Sequence, residues 1–445
     1  MKLVLLTHPP ALVTVSQPRF AEMIRRGLVE RGHTVELWTS ASLLARRSVP
    51  SAFLRKWLGY ADQFVLYPRE LRRRIREQPA DTVFVVTDQA LGMWVPHLAH
   101  RPHVIHCHDF LALRSALGEF PEHPTGWTGR QYQRLIRKGF SQGRAFISVS
   151  QKTREELHRF LAQSPTGPRT SQRGCPYLSE VVHNGLNHPF RPMELAERMP
   201  LLKKTGVAIS EPGFIVHVGG NQWYKNRQGV LAVYRAYAAA RFFHKPGPLN
   251  PTFSPGGGEG VRRTDEGGRG LQARNSVLEN SQPPELWLIG SAPTAELRGL
   301  AAAIPAPGRV HFLSGLDNDQ VNAAYAHAKA LLFPSLEEGF GWPIVEAMAS
   351  GCPVITTAAA PMTEVAGDAA RLIPRMPAAA PGGEQQAWAQ NAASVVAEVV
   401  QMRGAPRADL VRRGWQNARR FDTAKTLDAY ARIYQQVLAA WTKEH

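Results

Sequence analysis

Cysteine is scarce. Cys107, Cys175 and Cys352 are the three in 445 residues and share no motif spacing, which argues against a disulfide framework and against a cysteine-held structural metal. No apolar run approaches the ~18 residues of a membrane span. The opening MKLVLL has one lysine and a short apolar run before HPP, so it reads as a first β-strand, not a signal peptide. Acidic residues are also short, with 36 Asp and Glu against 53 Lys and Arg and a net charge of +17. That excess points to anionic partners, whether nucleic acid, phosphorylated small molecules or an acidic membrane face, and by itself chooses none of them. No serine sits in a nucleophile elbow and no His/Cys cluster offers a metal site. The expectation is a cytoplasmic protein without metal or cofactor.

What the sequence has is alternation. KLVLLT, TVELWT, DTVFVVT, HVIHCH and AFISVSQ are short apolar runs separated by longer polar segments. The first separator, RFAEMIRRGLVERGH, spaces its apolar residues for a helix and stops at Gly32. Strands alternating with helices predict a parallel, doubly wound α/β sheet. VVHNG, near 181–185, reads as the last strand of this half, and a polar stretch from about 191 to 212 as a linker. A second α/β unit opens at FIVHVGG, passes through a helix in NRQGVLAVYRAYAAARFF, and adds ELWLIG, RVHFLSG, ALLFPSL, PVITT and ARLIP. A chain of this length exceeds one ordinary core. The reading is therefore two facing Rossmann-like domains, 1–195 and 205–423, with an amphipathic final helix over 424–445 crossing back to the first. Ligands of such sheets sit at the carboxyl ends of the strands, here in the cleft between the domains.

Residues 245–284 break the pattern. They are rich in glycine and proline, with Phe253 as their one aromatic, and too poor in apolar area to offset their ordering entropy, so a disordered insertion is expected. Smaller loops of the same kind lie at 163–176 and 376–386.

The stretch with most chemistry is 337–355, EEGFGWPIVEAMASGCPVI. ALLFPS before it has the composition of a buried strand, which puts Glu338 in the loop at the strand's carboxyl end. Pro343 suits the first position of a helix that runs to Gly351, with Glu346 in its first turn. Gly339 and Gly341 permit close backbone approach, and a helix N-terminus offers free N–H groups to a phosphate. A carboxylate on either side of the turn could accept hydrogen bonds from sugar hydroxyls around an anion held by backbone. The plain alternative is a helix start with acids placed favourably near its dipole.

EEGFGWPIVEAMASGCPVI, followed by PMTEVAGDAARLIP, strongly resembles the signature of the retaining glycosyltransferases of family 4. VVHNGLNHPFRP, VHVGGNQWYKN and FISVSQKTREEL resemble that family too, in its order. The resemblance implies a GT-B fold and transfer of a sugar from a nucleotide-diphosphate donor to a hydroxyl acceptor without a metal. It implies that Glu338 contacts the donor sugar, that Glu346 contacts the ribose, and that backbone around Gly339, Phe340 and Gly341 meets the sugar and diphosphate. Lys225 matches the lysine aimed at the diphosphate, where an ammonium would neutralise charge on the leaving group. Where many relatives carry an arginine after the first glycine of that motif, this chain has Gly220, and Arg227 is the candidate substitute. His108 matches a histidine placed against the donor sugar, with His106 as the alternative. Its role would be positioning, because donor phosphate is thought to take the acceptor proton in retaining GT-B enzymes. The first loop lacks the paired glycines of relatives, and backbone from Thr14 through Val15 to Ser16 is the candidate contact for phosphate or acceptor.

Two other features have plainer readings. DND at 317–319 resembles a metal motif of a different fold, yet its place between RVHFLSG and NAAYAHA suits a helix cap. Residues 45–76 mix Phe, Leu and Trp with arginines, as a segment lying on an anionic membrane and reaching a lipid-linked acceptor would, or as a helix pair with a solvated basic face. The expected partners are a nucleotide-sugar donor, a sugar or lipid-linked acceptor and the inner membrane face, in polysaccharide or glycolipid assembly. A sugar-nucleotide epimerase or binding protein of the same fold is the alternative. A basic nucleic-acid binder is disfavoured by the lack of a recognition helix or aromatic RNA motif.

Overall fold

The computed structural model describes residues 1–8, 16–40, 51, 58–59, 62–163, 178–209, 213–243, 282–378 and 382–444. Thr14, Val15, Cys175, nearly all of the 245–284 segment, most of the 163–176 and part of the 376–386 loops lie outside them.

Twelve strands form two all-parallel sheets of six. The first holds β1 (Lys2–Thr7), β2 (Thr34–Thr39), β3 (Val83–Val86), β4 (His103–Cys107), β5 (Ala145–Ser148) and β6 (Leu178–Val181), in the order β2-β1-β3-β4-β5-β6. The second holds β7 (Phe214–Val218), β8 (Glu285–Ile289), β9 (Val310–Leu313), β10 (Ala330–Phe333), β11 (Val354–Thr357) and β12 (Ala370–Ile373), in the order β12-β11-β10-β7-β8-β9. The central strands are unbroken apolar runs because helices cover both faces. Val83 to Val86 and Ala330 to Phe333 are fully buried.

Each sheet reverses its winding once, between β1 and β3 in the first and between β7 and β10 in the second. At such a switch point neighbouring loops leave in opposite directions and open a crevice. The helices that matter below are α1 (Ser16–Glu30), α2 (Tyr67–Arg76), α3 (Gln151–Ala162), α4 (Leu195–Lys203), α5 (Arg227–Phe243), α6 (Asn318–His327), α7 (Trp342–Ala349) and α8 (Thr423–Glu444). The last of these packs on the first sheet, where Leu427, Tyr430, Ile433 and Tyr434 share a core with β1, β3 and β4.

Three local expectations need correction. The last strand of the first sheet is Leu178–Val181, so VVHNG is the exit from it; its His183 and Gly185 meet residues of the second half instead of a strand neighbour. The stretch read as a linker contains α4, which packs against α6 with Leu202 fully buried. Its apolar residues lack clear helical spacing and Pro200 lies inside it, so packing, not local pattern, makes the helix. Helix α7 starts at Trp342 with Gly341 as its left-handed N-cap, φ 101°, so Glu346 falls in the second turn, not the first.

The basic segment splits in a similar way. Tyr67, Leu71 and Ile75 of α2 are buried in the first core, while Arg69, Arg72, Arg73 and Arg76 remain exposed. Among the described residues no helix is long and apolar enough to cross a membrane.

Candidate active site

The two switch points face one another. From the second sheet, the turn after β7 carries Lys225 and the loop after β10 carries Glu338. The Lys225 ammonium Nζ donates to Glu338 Oε1 at 2.8 Å and Oε2 at 3.0 Å. Glu338 is 7% exposed. Lys225 closes the short 3-10 turn Trp223–Lys225, and Asn226 after it takes φ 52°, releasing the chain into α5. An Asn side chain tolerates that conformation; here its amide donates to Pro334 O and its oxygen accepts from Gly229 N.

From the first sheet, the end of β1 brings His8 and the end of β3 brings Asp88, paired at 3.0 Å between Nε2 and Oδ2. Burial alone would raise the Asp88 carboxyl, but the His8 hydrogen bond and the charges of His8 and His108 hold it below its ordinary value. Beyond β4, His108 is buried and its Nε2–H donates to Thr87 O at 2.9 Å, with the Phe20 ring edge-on at 4.5 Å. Its neighbour Asp109 accepts from Leu111 N at 3.0 Å. Burial, with the charges of Asp88 and Glu338, pushes the Asp109 carboxyl up to about 6. His8, Asp88, His108, Asp109, Lys225 and Glu338 thus form one electrostatic neighbourhood spanning the cleft. His8, Asp88 and Asp109 were not singled out from sequence; each ends a strand at or beside a switch point, which is the signal that could have found them.

Glu346 lies one turn into α7, half-buried, and accepts from Tyr325 OH at 3.1 Å. Burial raises its carboxyl to about 7. Phe340 turns into the core against Phe421 at 5.5 Å, leaving its backbone as the part a ligand can meet. At Gly339 a close approach of the two domains is seen: a Cβ there would stand 1.9 Å from His108 O. The absence of a side chain lets the two domains meet backbone to backbone, and Gly339 O accepts from Ser150 Oγ at 2.8 Å. Gly220 is half-exposed, two residues past the end of β7.

Arg227 is placed apart from Lys225 and Glu338 in its contacts. It is 4% exposed, donates to Asn221 Oδ1 and to Ser291 O at 2.8 Å, and leaves Nε and one terminal nitrogen without partners. A cavity of about 300 Å³ borders it, lined also by Trp223, His123, Thr294 and Gln385. Neither Lys225 nor Glu338 lines that cavity, although Asn221 and Asn226 of the turn after β7 and Leu336 of the loop after β10 do. His106 is spent elsewhere: its Nε2 pairs with Tyr434 OH at 2.7 Å. Ser16 is the first residue of α1. Asp317 caps α6, accepting from Gln320 N at 2.8 Å in a reciprocal capping box. Among the described residues no group of three or more His, Cys, Asp or Glu could hold a metal ion.

Two family models match, described as Glycosyltransferase Family 4 over residues 17–166 and Glycosyl transferases group 1 over residues 271–397. Together they take in more than half of the chain, one in each half. This is a GT-B-fold glycosyltransferase related to the family 4 and group 1 enzymes. Among characterised relatives, O-antigen chain mannosyltransferase B of Escherichia coli is 23% identical over 319 residues, 72% of this chain and 68% of its own. The MMP alpha-(1->4)-mannosyltransferase of Mycolicibacterium hassiacum is 39% identical over 93 residues, 20% of this chain and 23% of its own.

Solved structures match across nearly the whole glycosyltransferase. Anabaena Alr3699/HepE in complex with UDP and glucose superposes with a TM-score of 0.60 at 17% identity, covering 97% of this chain and 98% of that one. The sucrose-phosphate synthase of Thermosynechococcus elongatus gives 0.63 at 16% identity, covering 99% and 100%. At these identities the likeness establishes the fold: two Rossmann-like domains about a cleft.

Proposed function

We propose that this glycosyltransferase moves a hexosyl group from a nucleotide-diphosphate donor to a hydroxyl acceptor with retained anomeric configuration. The donor would lie on the second domain and the acceptor on the first. The observation that carries the reading is the Lys225–Glu338 pair at one switch point, directly opposite the acids and histidines of the other.

Each residue then has a task its surroundings suit. Glu338 accepts from donor-sugar hydroxyls while Lys225 holds its carboxylate in place. An ammonium has three N–H groups; two go to Glu338, and the third is left for the diphosphate, where it would neutralise charge as the leaving group departs. Glu346 accepts from the ribose. Backbone from Gly339 through Phe340 to Gly341, at the N-terminus of α7, meets the sugar and phosphates. His108, fixed by Thr87 O, positions the sugar from the first domain. In the reaction the bond from C1 of the sugar to phosphate oxygen breaks and the acceptor oxygen bonds to C1 on the same face. The acceptor proton passes to donor phosphate. Gly220 leaves room beside the phosphates, and the unpartnered nitrogens of Arg227 are the groups that would stand in for the family arginine. Backbone at Thr14, Val15 and Ser16, the last of which opens α1, is the contact this reading gives to phosphate or acceptor.

The relatives' names, O-antigen chain mannosyltransferase among them, support a place in surface polysaccharide or glycolipid assembly. A lipid-linked acceptor would bring the first domain to the inner membrane face, where the exposed arginines of α2 offer charge without inserting apolar residues.

Thermal stability against UDP-, GDP- and ADP-sugars, with Glu346→Ala beside the wild type, tests the reading. Ligand at about 100 times its dissociation constant contributes roughly 2.7 kcal/mol. One nucleotide should shift the wild type and not the variant; no shift with any would overturn the proposal.

A further inference from the structure

Two carboxylates of the second domain dock on the first turn of α3 in the first. Glu337 Oε2 stands 2.9 Å from the Arg114 guanidinium and also bonds Lys152 Nζ. Glu364 accepts the Gln151 backbone N–H at 2.8 and 3.0 Å, and His183 Nε2 at 2.8 Å. Ser150, the N-cap of α3, reaches Gly339 O in the same seam. The side chains of Glu337, Arg114 and Lys152 are 13%, 14% and 17% exposed. Such pairs are screened less than surface ion pairs and are correspondingly stronger.

The partners on the two sides are unequal. Arg114 has acids in its own domain, Glu119 at 2.7 Å and Glu156 at 3.0 Å. Glu337 has, in its own domain, Arg375 at 3.8 Å. Were the domains to part, Arg114 would keep its own acids and Glu337 would gain water, so this pair would leave no buried charge unpaired.

Its position along the chain matters more. Leu336 N donates to Tyr224 O at 2.8 Å, tying that residue to the Lys225 turn, and Glu338 pairs with Lys225 itself. Glu337 between them is the residue that reaches across to the first domain. We propose that Glu337 is a positioning residue: its ion pairs with Arg114 and Lys152, beside the Glu364 contact on α3, latch the cleft shut and hold Glu338 in register against Lys225. The latch stands on the interdomain contacts; its consequence for donor binding rests on the function proposed above.

Small-angle scattering of the ligand-free full chain decides the latch. Glu337→Gln should enlarge the radius of gyration at low salt, and molar NaCl should bring the wild type toward the same value, because the pairs are ionic. Arg114→Gln with Lys152→Gln, which leaves Glu337 intact, should do the same. Unchanged dimensions in both variants would overturn it. Calorimetry with UDP-, GDP- and ADP-sugars then reads positioning: the donor that binds the wild type should bind Glu337→Gln about tenfold more weakly, with Glu337→Asp intermediate. Equal affinity would overturn the positioning role. If the wild type binds none of the three, the donor-site reading falls while the scattering result still decides the latch.

Discussion

Lys225 and Glu338, separated by 113 positions, meet at 2.8 Å where the second sheet reverses its winding. The ammonium engages both oxygens of a carboxylate that is nearly shielded from solvent. Removing one partner therefore leaves the other buried and unpaired.

Lys225→Ala should lower kcat by about 10²–10³, the loss expected when one donor aimed at developing charge is removed. Glu338→Gln should be similarly slow, and the double variant hardly slower than either, because the two act as a unit. Steady-state release of nucleoside diphosphate measures all three. Additive losses would show that the pair is not functionally coupled.

Glu346 should make stability and binding depend on pH. Burial raises its carboxyl from 4.5 to about 7, so between those values the folded chain holds a proton that the unfolded chain has lost. Stability from this group is fully present below 4.5 and declines as pH rises to about 7. Glu346→Gln should flatten that decline, giving a Tm above the wild type's at pH 8 and close to it at pH 4. A ribose donating to this carboxylate favours the ionised form, so nucleotide affinity should rise with pH up to about 7 in the wild type and not in the variant. A melting series with calorimetry across the range checks both.

Tyr434→Phe should separate the two histidines. The phenol pairs with His106 in a fully buried site between α8 and the first sheet. Losing it leaves His106 Nε2 unsatisfied beside an Nδ1 that already lacks a partner, at about 1–3 kcal/mol. The urea midpoint should fall while nucleotide affinity stays unchanged. A matching loss of affinity would tie His106 to the site.

Gly339→Ala should hold the cleft open. The added Cβ meets backbone oxygen, not a movable side chain, so the domains have to part to accommodate it. Each sheet should keep its melting behaviour while the radius of gyration grows and nucleotide binding weakens. A variant as compact as the wild type would show that the 337–341 loop can shift on its own.

The sequence by itself determined the two doubly wound sheets, the loop after ALLF and the helix after the glycine-rich turn. It determined them because apolar periodicity and Gly/Pro punctuation act within a few residues. The helix within 337–355 was legible for the same reason, although capping by Gly341 starts it one residue earlier than Pro343 suggests. Only the tertiary structure decided which charges meet. With 53 bases and 36 acids in the chain, nothing local selects Lys225 for Glu338, His8 for Asp88 or Arg114 for Glu337. Those pairs exist because strand order brings distant loops to one crevice, where charges left without partners would be too costly to bury. Helix α4 and Gly339 were decided there too: one becomes a helix by packing on α6, and the other is bare because a second backbone lies against it.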